Sequence, residues 1–407
     1  MTPLITNLQS QIDKLKKNIK YHQPLYNFLL FTLEILIFVE MNGVHITLIW
    51  RRLQAYELGK DVLLTPYHLA LGLGGKATIV CDTSSVSSLP ERFRDTVSLE
   101  PLPLSGNWRL RVLKYFRYLA SNACHTDILM LFHWRAESLL VLTTYKLFNP
   151  KGKVYIKMDS VDGGEFDFSK GGVIRKKLKK RIYLHCLKKT DVISCERPEV
   201  YERVVAHAGD KAVLMPNGFD EELLQSLGIR DIPKEKLIIT AGRLGTDQKN
   251  TEMLLSALSG MDLRDWKVAL IGDPTPEFEI RFAGFLEANP QLSGKVELKG
   301  RIIDKKELWT IFAKASAFVL TSKWESYGLV LEEAARFANY IITTPVGAAP
   351  QILSRFPGES IHDVLELRAS LARLIDKTDP AIAAPSAEAI EEMSWNSRIK
   401  PLVNLLK

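Results

Sequence analysis

From residue 44 onward the chain alternates short, nearly continuous apolar runs with longer amphipathic stretches, a rhythm that predicts βαβ units. Residues 44–50 (VHITLIW) read as a strand, a turn at Glu57-Leu58-Gly59-Lys60 leads into an apolar helix over 61–73, and a strand follows at 77–81 (ATIVC). Helices are expected over 108–123 and 137–147, with strands at 127–132 (DILMLF) and 153–158 (KVYIKM). A basic helix over 173–189, a strand at 191–195, a helix over 198–208 and a strand at 212–215 complete the first series. Met215-Pro216-Asn217-Gly218 has turn chemistry, and the polar stretch 220–236 reads as a linker. A second series then begins, with strands at 236–241 (KLIITA), 266–271 (WKVALI), 296–298, 317–321 (AFVLT) and 340–343. Its helices are expected over 250–260, 278–288, 305–315 and 329–338.

Strands that are apolar almost throughout belong in parallel sheets covered on both faces. The fold class is therefore α/β, with two Rossmann-like doubly wound domains facing a central cleft and the ligand at the carboxyl ends of the strands. The expected division is a helical extension at 1–43, a first Rossmann-like domain at 44–228, a second at 229–390 and a closing helix at 391–407.

Composition narrows the class without choosing a function. The chain has 407 residues, 46% hydrophobic and 25% charged, which is enough for two cores and typical of a globular enzyme. The net charge of +7 favours an anionic partner such as a nucleotide, a phospholipid or a polyphosphate. Four cysteines (Cys81, Cys124, Cys186 and Cys195) lie far apart with no CxxC pair, and three of them sit in or beside apolar runs, as expected of buried free thiols in a reducing compartment. No Cys/His ladder has metal-ligand spacing, so a structural zinc site is not expected. The leading 20 residues are polar and lysine-rich with no small-residue cleavage site, so the protein is expected in the cytoplasm.

Residues 24–39 (PLYNFLLFTLEILIFV) are strongly apolar, but 16 residues containing Glu34 fall short of a membrane span. They fit a helix packed on the domain, a dimer contact or a helix lying in the membrane interface. With the amphipathic stretch before them, residues 12–39 form one candidate contact with an anionic membrane surface, and the basic stretch 175–189 forms a second. Association would then be peripheral, at the inner face of the membrane. Nucleic-acid binding is not expected, because the basic run lacks aromatic interleaving and a nucleic-acid fold motif. Oligomeric state is left open.

The candidate chemistry lies at strand ends. Gly242 and Arg243 follow the first strand of the second series, and Lys249 sits at the start of the next helix. Two cations beside free backbone N–H groups suit a diphosphate. Between a later strand and helix runs Lys323-Trp324-Glu325-Ser326-Tyr327-Gly328-Leu329, in which Glu325 suits sugar hydroxyls better than phosphates. Glu333, eight residues after Glu325, can accept hydrogen bonds from a ribose, while Glu332 reads as a helix-surface residue. In the first series His133 and Asp159 end two strands, with Lys157 on the same face as Asp159.

Residues 236–353 resemble the donor domain of family 4 glycosyltransferases, which are retaining enzymes of the GT-B fold. Four blocks carry the resemblance in order: AGRL with QKN, the stretch from Gly300 to Leu308, the ExSYGxxxxE segment from Glu325 to Glu333, and Thr344-Pro345-Val346-Gly347. It implies that Arg243 and Lys249 stabilise a leaving diphosphate, that Glu325 faces the donor sugar and that Glu333 faces the ribose. It also places Tyr327, Gly328 and Leu329 at the phosphates and His133 at the donor sugar, and it makes Gly59 the counterpart of a glycine-rich loop. Residues 393–406 are similar to a closing helix that crosses back onto the first domain. The family usually has Gly where Asn339 stands, a substitution that tolerates positive φ.

The expected activity is sugar transfer from a nucleotide diphosphate sugar to a hydroxyl of a glycan or lipid-linked glycan, in surface polysaccharide or glycoconjugate synthesis. No cofactor and no metal are expected: no Asp-x-Asp occurs, so Arg243 and Lys249 must meet the leaving-group charge. Competing readings are a nucleotide-sugar epimerase of the same architecture and a non-catalytic partner that kept the fold.

Overall fold

The computed structural model describes residues 43–86, 88–104, 106–161, 164, 173–230, 232–376 and 384–407. Residues 12–39 therefore lie outside the described residues.

Seven strands build the first sheet: β1 (His45–Arg52), β2 (Lys76–Asp82), β3 (Val97–Pro101), β4 (Ile128–Phe132), β5 (Lys153–Met158), β6 (Val192–Cys195) and β7 (Ala212–Leu214). Their order is β3-β2-β1-β4-β5-β6-β7, and every pairing is parallel. Helices α1 (Asp61–Leu73), α2 (Glu91–Arg94), α3 (Trp108–Asn122), α4 (Ala136–Phe148), α5 (Val173–Lys189) and α6 (Pro198–Ala208) connect them. All five residues of β4 are buried, which is why its text is unbroken ILMLF. Helix α1 ends at Gly74, which adopts the left-handed conformation (φ 65°) and receives the chain from Leu73 as a helix cap.

The stretch read as a linker contains a helix, α7 (Glu221–Leu227). Asp220 accepts from the amide of Leu223 and Leu224 is buried, so a capped turn of helix forms inside a polar-looking segment. The second sheet follows: β8 (Glu235–Ala241), β9 (Lys267–Ile271), β10 (Val296–Gly300), β11 (Ala315–Leu320), β12 (Tyr340–Thr343) and β13 (Gly358–Ser360). Their order, β10-β9-β8-β11-β12-β13, is again wholly parallel. Its helices are α8 (Thr251–Leu258), α9 (Pro276–Ala288), α10 (Lys305–Lys314), α11 (Leu329–Arg336), α12 (Ala349–Leu353) and α13 (Val364–Ile375). Strand order reverses between β1 and β4 in one sheet and between β8 and β11 in the other, and the ligand crevice of such a sheet opens at that point.

Three helices close the chain: α14 (Ala387–Met393), α15 (Trp395–Arg398) and α16 (Lys400–Leu406). The last of these packs into the first domain, where Leu402, Val403 and Leu406 join the core of α1 and β1. Trp395 stacks on His68 with ring centroids 5.7 Å apart. The return strap runs beside the outgoing one, since the amide of Phe219 donates to Met393 O at 2.7 Å. Arg92 then grips Asp220 with two guanidinium nitrogens. Two chain crossings tied side by side join the two sheets.

Two sequence expectations need correction here. Asn339 is not the left-handed residue before β12; Ala338 is, with φ 52°. The buried Asn339 amide instead donates to Phe312 O and Ala315 O at 2.9 and 2.5 Å, tying α10 to β11. Glu332 is not a surface residue either: it is buried, with Tyr327 donating to it and Arg398 3.9 Å away. Burial raises its carboxyl above the usual range, with Arg398 pulling the other way.

Candidate functional site

The carboxyl ends of β8 and β11 bring three of the proposed donor residues together. The loop after β8 carries Gly242 and Arg243 and places Lys249 just before α8. The loop after β11 carries Glu325, whose carboxylate accepts from Lys249 Nζ at 2.5 Å and from Ser322 Oγ at 2.6 Å. Gln248 links the two loops. Its side chain accepts from Arg243 Nη2 at 2.5 Å and donates to Trp324 O at 3.1 Å. Lys249 thus packs along the backbone at Gly242, where a Cβ would stand 3.3 Å from Lys249 Cε.

Two glycines allow the loops to approach. Gly272, at the end of β9, has φ 137°, and a Cβ there would fall 1.7 Å from Gly242 O. Gly347 has φ 58°, and its Cβ would fall 2.3 Å from Tyr327 O. Neither position admits another residue without moving backbone. Gly328 is also left-handed (φ 85°) and stands as the N-cap of α11, so Leu329 opens that helix. The first amides of a helix point out of its start and favour an anion there. Tyr327 is turned inward: it is buried, donates to Glu332 and comes within 3.4 Å of Asn217 O. Its side chain is an interior strut between the domains, so the phosphate contact expected of Tyr327 can come only from its backbone.

Glu333 leans onto α10. It accepts from Lys305 Nζ and from Trp309 Nε1, the latter at 2.9 Å, which fixes one carboxylate oxygen. Gly59 makes no close approach, because a Cβ there would meet open space.

The first domain closes over this site through the loop after β1. Tyr56 carries Lys60 Nζ 4.7 Å from its ring centroid and the guanidinium carbon of Arg301, from the second domain, at 5.8 Å. Loss of water around the ammonium lowers the pKa of Lys60. Asp61 and Glu57 pull it up, and Lys249 and Arg243 push it down. Lys60 therefore lies in the field of the second domain's basic pair. Sequence reasoning missed it, taking Gly59 as the feature of that loop; the only signal was its place in a cleft-edge turn.

His133 and Asp159 stand at the ends of β4 and β5. His133 adopts φ 61°, an uncommon conformation for a side-chain-bearing residue, and its amide donates to Lys157 O at 2.9 Å. Asp159 is half-buried, and its charge raises the pKa of both Asp61 and Glu196. Lys157 does not share the cleft surface with Asp159 but is fully buried. It donates to Glu196 and, at 3.0 Å, to Asn217 Oδ1, with Asp61 at 3.4 Å. Two carboxylates hold the ammonium well above the usual lysine range against the effect of burial. Burial raises Glu196 and Asp61, with Lys157 opposing. This network joins α1, β5, the end of β6 and the turn at Asn217 under the cleft floor. Among the described residues no cluster of His, Cys, Asp and Glu is arranged to hold a metal ion.

Residues 235–377 match the family of glycosyl transferases group 1. A curated relative is an uncharacterized 41.2 kDa protein in the cps region of Klebsiella pneumoniae, 27% identical over 192 residues. That match covers 44% of this chain and 51% of the relative, so the chain spans about half the length of the relative it matches. Among solved structures, Anabaena HepE in complex with UDP-glucose superposes with a TM-score of 0.62 at 13% identity, over 89% of this chain and 99% of that one. An α,α-trehalose-phosphate synthase (UDP-forming) from Burkholderia xenovorans gives a TM-score of 0.62 at 14% identity, over 90% and 100%. The likeness shows the fold: two Rossmann-like domains in the GT-B arrangement.

Proposed function

We propose that the chain is a metal-independent, retaining glycosyltransferase of family 4 type. It would move a sugar from a nucleotide diphosphate donor to a hydroxyl of a glycan or lipid-linked glycan in surface polysaccharide or glycoconjugate synthesis. The observation that carries this reading is the grouping of Arg243 and Lys249 with Glu325 through Gln248, with Lys60 of the first domain in the field of that basic pair. The group 1 match over residues 235–377 supports it for the second domain, and the superposition on a protein holding UDP-glucose supports a nucleotide-sugar donor. The cps-region relative supports a role in polysaccharide synthesis.

The chemistry follows from the charges. As the bond between the anomeric carbon and the diphosphate oxygen breaks, negative charge grows on that oxygen, and Arg243, Lys249 and the start of α11 meet it. An acceptor hydroxyl attacks the anomeric carbon on the same face, and its proton passes to the departing phosphate oxygen. Glu325 orients the sugar hydroxyls and Glu333 the ribose. His133 reaches the donor sugar from the first domain, and Asp159 lines the acceptor side.

Incubation with a panel of nucleotide sugars is expected to release nucleoside diphosphate from one donor, equally with and without EDTA. The productive donor should also raise the melting temperature by mass action, a shift that Arg243→Ala abolishes. Absence of release and of any shift across the panel would sink the reading. Release abolished by EDTA would overturn its metal-independent part.

Lys60→Met is expected to raise the KM for the donor about tenfold, the effect of losing one charge-assisted contact. Steady-state nucleotide release measures it. A change below about twofold would exclude Lys60 from the diphosphate site.

A further inference from the structure

Helices α3, α4 and α5 pack side by side on one face of the first sheet. Ten of the nineteen exposed large apolar side chains among the described residues lie on these three helices, so the exposure is a patch and not a scatter. On α5, Ile174, Leu178 and Ile182 recur every fourth position, which puts them on one stripe, and they are 84%, 58% and 47% exposed. On α3, Trp108, Leu110 and Leu113 are similarly bare, with Trp108 61% exposed.

The charge of this face is one-sided. In sequence, α3 carries four basic residues and no acid, α5 carries eight and no acid, and α4 carries one of each. The three helices thus hold +12 while the whole chain holds +7, so everything else together is −5. In a parallel α/β sheet each helix runs back from the carboxyl edge of the strand before it. The starts of α3 and α5, with Trp108, Leu110 and Ile174, therefore rim the edge on which the cleft opens.

From this arrangement we infer that α3 and α5 seat the first domain on an anionic phospholipid bilayer, with apolar side chains entering the interface and lysines and arginines meeting headgroup phosphates. Apolar groups ringed by a large net excess of cations are complementary to that surface and to few others. A second copy of the chain would present +12 to +12. The chain's own leading residues 1–42 contain four lysines against three acidic residues and offer no countercharge. The seat brings the cleft mouth to the membrane, where a lipid-linked acceptor would be found. The docking itself stands on the helices alone and does not depend on the sugar-transfer reading.

The test is co-sedimentation of the full-length chain with phosphatidylcholine vesicles and with vesicles containing about one-third phosphatidylglycerol, at low and high salt. Wild type is expected to sediment with the anionic vesicles only, and less at high salt. The double variant Ile174→Asp, Leu178→Asp should lose at least tenfold in partitioning, and Trp108→Ser should lose part of it. Both substitutions fall on exposed positions, and an unchanged melting curve together with an unchanged thermal shift by donor nucleotide reports the fold and the donor site separately. Failure of wild type to bind, equal binding to neutral vesicles, or full binding by the double variant would each overturn the inference. So would a wild-type dimer in solution that the double variant dissolves.

Discussion

Lys249→Ala is expected to lower kcat for sugar transfer by about 10² to 10³, the usual effect of removing one group aimed at charge that develops in the transition state. The position is unusually exposed to this loss because Lys249 has two tasks. In the proposed reaction its ammonium faces the place where a leaving diphosphate gathers charge, and in the structure it is the cationic partner of Glu325, 2.5 Å away. Without it, Glu325 keeps only Ser322 and Gln248 as hydrogen-bond partners among the described residues, at 2.6 and 3.5 Å. Lys249→Arg restores the charge with a bulkier fork and should recover part of the loss. Lys249→Met should behave like Ala, because stem packing against Gly242 is not the missing element. Steady-state nucleotide release under saturating donor is the measurement. A fall of less than tenfold in kcat for Ala would mean that the cation does not act on the leaving group.

How much of this was legible beforehand depends on how far apart the interacting residues lie. The helices over 61–73 and 198–208 and the strands over 153–158 and 340–343 fall where periodicity puts them, since their apolar residues report burial locally. The basic helix over 173–189 also falls where expected, although its Ile174, Leu178 and Ile182 are exposed. Strand β3 was missed because it is a short edge strand whose residues are mostly half-buried or exposed. Helix α7 was missed because its cap, Asp220, and its single buried leucine, Leu224, sit in polar text. At the site, Arg243, Lys249 and Glu325 were readable from their loops. That Lys249 and Glu325 pair was not, for they lie 76 positions apart. The inward turn of Tyr327 and Glu332 is equally hidden, because adjacent glutamates on α11 look alike until the helix has a side to face. Lys60 emerges only once the fold sets the loop after β1 beside the second domain, in the field of Lys249.

Lys157→Met is expected to destabilise the first domain by about 3–5 kcal/mol, the penalty for leaving buried charge without its partner. Among the described residues Lys157 is the cation facing Glu196 and Asp61 at hydrogen-bond or ion-pair distance, and both carboxyls lie in buried residues. The loss should be largely repaired in Lys157→Met, Glu196→Gln, because Asn217 still bonds the replacement and one buried negative charge is gone. The pH dependence gives an independent check. Burial already holds both carboxyls above their ordinary values, and loss of Lys157, which opposes that rise, must push them higher. A carboxyl whose folded pKa lies above its unfolded one supports the fold below the unfolded value and loses that support as pH rises through the folded value. The single variant should therefore grow more stable as pH falls from about 8 toward about 5, more steeply than wild type, while the double variant flattens the slope. Urea unfolding midpoints across that range decide it. A single variant with the wild-type midpoint and slope would show that the buried lysine carries no countercharge for the cleft floor.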